Sequence, residues 1–204
     1  PTTSEQIERY LASGLISGVG PVTANNIVKR FGVDTLDIIE NNPMELAKVR
    51  GVSKEKAMSI ALRYSDIKKL QNAVMFLQNY DVSVNMAVKI YEKYKSGTES
   101  ILQRNPYKMV EDVEGIGFKT ADKIAIKMGI EEDSTFRMRA GVVYILGEIA
   151  NKTGSTVVKS EDLSREVFEL LHLSPENKKD ALEQVLADLI IDGYIHEYIE
   201  DGEV

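Results

Sequence analysis

Leu15-Ile16-Ser17-Gly18-Val19-Gly20-Pro21-Val22-Thr23-Ala24-Asn25-Asn26-Ile27-Val28 returns, altered but legible, as Val113-Glu114-Gly115-Ile116-Gly117-Phe118-Lys119-Thr120-Ala121-Asp122-Lys123-Ile124-Ala125. In both stretches an apolar residue stands between two glycines, an alanine follows after three residues, and an isoleucine lies three further on. This is the pattern of a helix-hairpin-helix. Glycine reaches backbone angles closed to other residues and leaves room for close approach to the main chain. The helix that begins after the second glycine has first-turn amides with no partner inside the helix, and its dipole adds partial positive charge, so an anion is held without regard to sequence. Ala24 and Ala121 let the two helices of each hairpin approach, and Ile27 and Ile124 bury the same face.

Two more copies stand at the same spacing. Gly51-Val52-Ser53 with Ala57 and Ile60 keeps one glycine and puts Lys54 and Lys56 on the first turn of its helix. Asp81-Val82-Ser83 with Ala87 and Ile90 has lost both glycines, and Asp81 sets a negative charge where a phosphate would lie. Asn42-Pro43 and Asn105-Pro106 are separated by the same offset as Ala24 and Ala87. A two-hairpin unit has therefore been duplicated, with one intact hairpin in each copy: the first and second hairpins in residues 15 to 64, the third and fourth in residues 80 to 129.

Two intact loops imply a nucleic-acid surface with two footholds. The contacts expected are Gly18, Val19, Gly20, Val22 and Thr23 in the first hairpin, and Gly51, Ser53, Lys54 and Lys56 in the second. In the fourth they are Gly115, Ile116, Gly117, Lys119, Thr120 and Lys123. The hydroxyls of Thr23 and Thr120 either donate to a phosphate or cap the helix. Pro21 suits a first helical position, since its missing amide hydrogen would have had no helical partner there. Lys29 and Arg30 fall at the far end of their helix, where cations suit the dipole without any ligand. The opposing reading is that hairpin pairs serve as plain packing modules.

Composition bounds the rest. A chain of 204 residues buries roughly 70% of its unfolded surface. It has no cysteine, which removes disulfides and cysteine-based metal sites. No run of 18 apolar residues and no signal peptide occur, so a cytoplasmic location and no membrane partner are expected. The net charge of -7 is not the basic footprint of a typical DNA binder. It is unevenly spread: residues 1 to 130 hold 18 lysines and arginines against 15 aspartates and glutamates, and residues 131 to 204 hold 7 against 17. Modest, salt-sensitive binding is expected.

Between the hairpins, Ile67, Leu70, Val74 and Leu77 stand at helical spacing, which predicts a linking amphipathic helix over residues 65 to 79 with Met75 and Phe76 in its core. Residues 134 to 151 form another predicted helix, in which Gly141 and Gly147 would admit a close neighbour. A short strand is predicted at Thr156-Val157-Val158, a helix over residues 161 to 171 capped by Ser160, and a helix over residues 175 to 192 ending at Gly193. A strand over residues 194 to 199 and a turn at Asp201-Gly202 complete a winged helix. The predicted fold is mainly α: tandem duplicated helix-hairpin-helix pairs (residues 1 to 64 and 65 to 133) followed by a small winged-helix-like α+β domain (134 to 204). Glu183 and Asp188 on the last helix would repel phosphate, so that domain reads as a protein contact or spacer. A chain opening on Pro1 and stopping just past a hairpin turn reads as part of a longer parent.

The block Gly14-Leu15-Ile16-Ser17-Gly18-Val19-Gly20-Pro21-Val22-Thr23-Ala24, with Ile7-Glu8-Arg9-Tyr10-Leu11 before it, resembles the N-terminal region of standalone RecD-type helicases of the RecD/TraA family. The resemblance covers essentially the whole chain. It implies two hairpin pairs and a winged-helix-like segment between a small β-barrel and an ATPase core. It further implies a parent, sometimes called an exodeoxyribonuclease V alpha subunit, that unwinds DNA 5′ to 3′ with ATP and Mg²⁺ in recombination and repair. The expected partners are DNA, single-stranded or at a junction, and the rest of that helicase chain. The chain itself has no G-x-x-x-x-G-K-[ST], so no cofactor is expected within it. His172 and His196 lie in separate elements, and Glu131-Glu132-Asp133 reads as a solvated helix start, so no catalytic or metal-ligating residue is assigned. Two functions follow from different classes: a DNA-binding accessory region of a helicase, or a structural or protein-docking module of a repair protein. A repair nuclease or ligase using the same hairpins is a third parent.

Overall fold

The computed structural model describes residues 2 to 198, which form eleven α-helices joined by short 3₁₀ turns, with no strand among the described residues. The chain divides into two compact units, Pro1–Met75 and Phe76–Val204. In the first, α1 (Ser4–Ala12) opens on Thr3, whose hydroxyl accepts the Gln6 amide at 3.3 Å. It buries Ile7 and Leu11 against α2 (Pro21–Phe31), which contributes Ala24, Ile27 and Val28. α3 (Thr35–Asn41) and a 3₁₀ turn over Pro43–Lys48 lead into α4 (Lys54–Gln78).

The linking helix expected from residue 65 is not a separate element. α4 is one unbroken helix of 25 residues, because nothing between Lys54 and Gln78 is a glycine or proline that would interrupt it. It serves the second hairpin with its first turns and the third with its last. Met75, expected in a core, is 64% exposed.

The second unit continues with α5 (Val84–Tyr94), α6 (Thr98–Arg104), the short α7 (Lys108–Asp112) and α8 (Phe118–Lys127). The four hairpins repeat one buried set. Val19, Val52, Val82 and Ile116 are buried in the loops, Ala24, Ala57, Ala87 and Ala121 are fully buried, and Ile27, Ile60, Ile90 and Ile124 are buried three residues beyond. The duplication extends to details that spacing did not expose. After α2, Gly32 takes φ 55° and ψ -130°, and after α5 Lys95 takes φ 51° and ψ -132°. The buried hydroxyls of Thr35 and Thr98 then donate to the Gly32 and Lys95 carbonyls at 2.7 and 2.8 Å. A burial that would leave a threonine hydroxyl unsatisfied is thus solved identically in both copies.

α9 (Thr135–Thr153), α10 (Ser160–Leu171) and α11 (Lys179–Ile191) pack together. Gly141 admits the close neighbour expected of it, since a Cβ there would meet Leu171 at 3.2 Å, whereas a Cβ at Gly147 would meet nothing within 4 Å. The anchor of α9 is Arg137, whose side chain is almost fully buried. It grips both carboxylate oxygens of Asp122 at 2.8 and 3.0 Å and donates to the carbonyls of Glu132 and Leu171 at 2.8 and 3.0 Å. Asp122 also accepts the Tyr107 hydroxyl at 2.7 Å. Phe118 stacks between Tyr107 and Tyr144, ring centroids 6.0 and 5.3 Å apart. One buried charge, satisfied on every side, thereby ties the fourth hairpin to α9 and α10.

The winged helix does not form among these residues. Instead of a strand at Thr156-Val157-Val158, the Ser155 hydroxyl bonds both the amide and the carbonyl of Val157, at 3.2 and 2.9 Å, taking the groups a ladder would need. The expected strand from Tyr194 also loses its donors. Gly193, at φ 74°, turns the chain back, and the amides of Tyr194 and Ile195 close on the Leu189 carbonyl at 2.9 and 3.4 Å. Ile199 and the Asp201-Gly202 turn lie outside the described residues. Two helix starts also shift: Ser160 is the first residue of α10 and not its cap, and Pro175–Asn177 is a 3₁₀ turn ahead of α11.

Candidate nucleic-acid interface

The two glycines of each intact loop do different things. Gly18 and Gly115 sit at φ 82° and 88°, in the left-handed region, and so does Gly51 at 86°. Gly20 and Gly117 do not: they cap α2 and α8 in extended conformation, at φ -87° and -90°, angles open to any residue. What glycine gives there is access, since a Cβ at either position would meet nothing within 4 Å. The first glycine makes the turn and the second leaves its outer side clear.

Behind that clear side are backbone donors. Pro21 is the first residue of α2, and the amides of Val22 and Thr23 find no acceptor among the described residues; the Gly20 carbonyl takes the Ala24 amide at 2.9 Å. In the fourth loop the amides of Phe118 and Lys119 are similarly free, while Thr120 donates to the Gly117 carbonyl at 3.1 Å. Neither threonine caps its helix, because the cap positions belong to Gly20 and Gly117. Thr23 and Thr120 are half-buried, Lys119 and Lys123 exposed. Val19 and Ile116 point inward, so only their backbone can meet a ligand. Val22, 76% exposed, stands beside the first loop.

The worn loops satisfy themselves. The Ser53 hydroxyl accepts the Lys56 amide at 3.1 Å and the Ser83 hydroxyl accepts the Met86 amide at 3.3 Å, so each supplies from within what an anion would supply from outside. Lys54 is exposed. Lys56 runs between the two loops of the first unit: its ammonium donates to the Gly51 carbonyl at 3.3 Å, and its Cε lies 3.9 Å from where a Gly18 Cβ would stand. In the third loop Asp81 holds the left-handed turn without glycine, at φ 59°, and its carboxylate pairs with Lys127 at the end of α8. That pair was invisible to the spacing argument, although the two charges it joins are plain in the sequence.

The second unit is also shaped by its titratable groups. Burial, and then donation to Asp122, holds the Tyr107 hydroxyl well above the usual tyrosine range, and burial with donation to Asp112 at 3.0 Å does the same for Tyr94. Hydrogen bonding to the Asp122 carboxylate raises the Arg137 guanidinium above its ordinary value. In Glu131-Glu132-Asp133 both glutamates are exposed, as expected, while Asp133 pairs with Lys178, which lowers its pKa, and the Glu132 backbone carbonyl accepts from Arg137.

Residues 66–157 match the family model described as the ATP-dependent RecD2 DNA helicase HHH domain, and residues 8–66 match the SAM-like helix-hairpin-helix tandem. The chain is a helix-hairpin-helix region related to the RecD-type helicases. Over 168 residues, 82% of its length, it is 26% identical to the ATP-dependent RecD2 DNA helicase of Deinococcus radiodurans, and it spans 23% of that protein. No solved structure matches the chain. The RecD2 match runs through both hairpins of the second unit and all of α9, so the buried Arg137 anchor falls inside the part that the family model describes. No described helix is long and apolar enough to cross a membrane.

Proposed function

We propose that this RecD-related region is a DNA-binding accessory module of an ATP-dependent helicase, gripping backbone phosphates without regard to sequence through the Gly18-Val19-Gly20 and Gly115-Ile116-Gly117 loops. The observation that carries the reading is the pair of exposed loops whose second glycine clears the way to helix amides that have no partner. An oxyanion placed there accepts from those amides and lies on the positive end of the helix. Lys56 at the first loop and Lys119 and Lys123 at the fourth add charge. ATP and Mg²⁺ belong in this reading to the motor portion of the parent, because the chain holds no P-loop lysine or serine to bind them. Travel 5′ to 3′, a preference for single strands or junctions, and service in recombination and repair rest on the family resemblance.

A packing role is favoured most for the third hairpin, where Asp81 and Lys127 neutralise one another and Ser83 fills the cap. The test is a salt series of binding by fluorescence anisotropy on single strands of two unrelated sequences. Equal affinities with a log-log salt slope of roughly -1 to -3 are expected for a few phosphate contacts. A strong sequence preference, or no binding at low salt, would reject the proposal.

A further inference from the structure

Gly147 lies within α9, where glycine costs helix stability relative to alanine, yet no neighbour approaches it. Packing does not require it. It lies instead along a cleft of about 520 Å³, within the size range of small-ligand sites. One wall is a single face of α9 carrying Phe136, Val143, Tyr144 and Asn151; the other is the segment of Asn105, Lys108 and Glu111; Tyr194 closes the rim. Phe136 is 43% exposed, and Tyr194, with Arg139 over one part of its ring, is 55% exposed. Val110 and Glu111 of α7 line this cleft and also line the concavity at the Gly115-Ile116-Gly117 loop, so α7 borders both.

We propose that the cleft receives one unstacked nucleobase of the strand whose phosphate is held at the fourth loop; this rests on the DNA-grip reading above. Charge decides between base and phosphate. Arg139 is engaged by Asp192 at 2.8 Å and Lys108 by Asp112 at 3.4 Å, while Glu148 pairs with Lys152 at 3.6 Å and Glu111 accepts the Tyr194 hydroxyl at 3.3 Å, so each charged side chain lining the cleft already has a partner and no free cation is left to hold a phosphate. A base has no charge and offers a flat face to the exposed Phe136 ring; Tyr144, stacked on Phe118, and Tyr194, under Arg139, border it, and its amino groups and edge meet the carboxylates and Asn151. Stacking of this kind is tolerant of sequence, in keeping with a grip that does not read bases. A side chain at Gly147 would project into open space along the cleft, and glycine leaves that space free.

The test uses the 204-residue chain, a single-stranded oligonucleotide and the same strand with abasic sites, which keeps every phosphate. The wild type is expected to bind the intact strand roughly tenfold more tightly, the worth of one stacked base. Gly147→Leu, which improves helix propensity while filling the cleft, is expected to erase that difference, leave binding of the abasic strand unchanged, and raise or maintain the thermal midpoint. Gly117→Glu is expected to weaken both strands. Equal wild-type affinity for the two strands overturns the base cleft while leaving the phosphate grip standing. Undiminished discrimination in Gly147→Leu also overturns it and gives the α9 face to a protein partner. Binding of neither strand overturns the cleft and the grip together.

Discussion

Gly18 and Gly20 are two residues apart and should fail in opposite ways when replaced. Gly18→Ala and Gly115→Ala force a Cβ into the left-handed region and are each expected to cost about 1–2 kcal/mol in denaturant unfolding. Gly20→Ala and Gly117→Ala sit at permissive angles in open space and should change stability by less than about 0.5 kcal/mol while lowering DNA affinity. A fourfold arrangement of loop residue, alanine and isoleucine was fully legible in the sequence, because hydrophobic burial imposes that spacing. The division of labour between the glycines was not, since a glycine letter does not say whether it serves backbone angle or access. Asp81 shows the converse: the turn persists where the glycine is gone. Asp81→Gly removes both a strained residue and an exposed ion pair that contributes little, so its unfolding free energy should stay within about 1 kcal/mol of wild type. Its affinity for single-stranded DNA should rise, as measured by anisotropy, and a fall would contradict the reading that Asp81 sets a negative charge where a phosphate would lie.

Among the elements, helices were read from the sequence far better than strands. Periodicity and caps report on local contacts, and α2, α5, α8 and α9 follow from them. A strand depends on a partner, and Thr156-Val157-Val158 has the β-branched composition of one while Ser155 occupies its hydrogen-bonding groups. The Arg137 anchor was equally hidden, because its four acceptors lie on Asp122, Glu132 and Leu171, brought together only by the fold. Arg137→Met is expected to cost about 3–5 kcal/mol by chemical denaturation, since it strands the partly buried Asp122 carboxylate without its cation. The buried tyrosines give the second unit an alkaline limit. Their folded pKa is raised above the unfolded value of 10.0, so the stabilising contribution is complete below that value and is lost as pH climbs above it. Thermal midpoints should therefore fall above about pH 10, and less steeply in Tyr107→Phe; an identical fall in that variant would exclude Tyr107 as a source.

For the whole molecule, the question is how a chain of net charge -7 could hold a polyanion. Its acidity is concentrated beyond residue 130, while the proposed grips lie before it and depend on oriented amides, which need no net positive charge. Duplication was legible from spacing, and the structure extends it to the matched Gly32 and Lys95 turns and the paired buried threonines. The most direct measurement is anisotropy binding of a labelled single strand, at low and moderate salt, to the wild type and to a Gly20→Glu, Gly117→Glu double variant. Both substitutions enter extended backbone with open space around it, so circular dichroism and the thermal midpoint should be unchanged. Salt-sensitive binding by the wild type with at least tenfold loss in the folded double variant is the expected result. Equal binding by a folded double variant would contradict the phosphate grip and reduce the four hairpins to scaffolding.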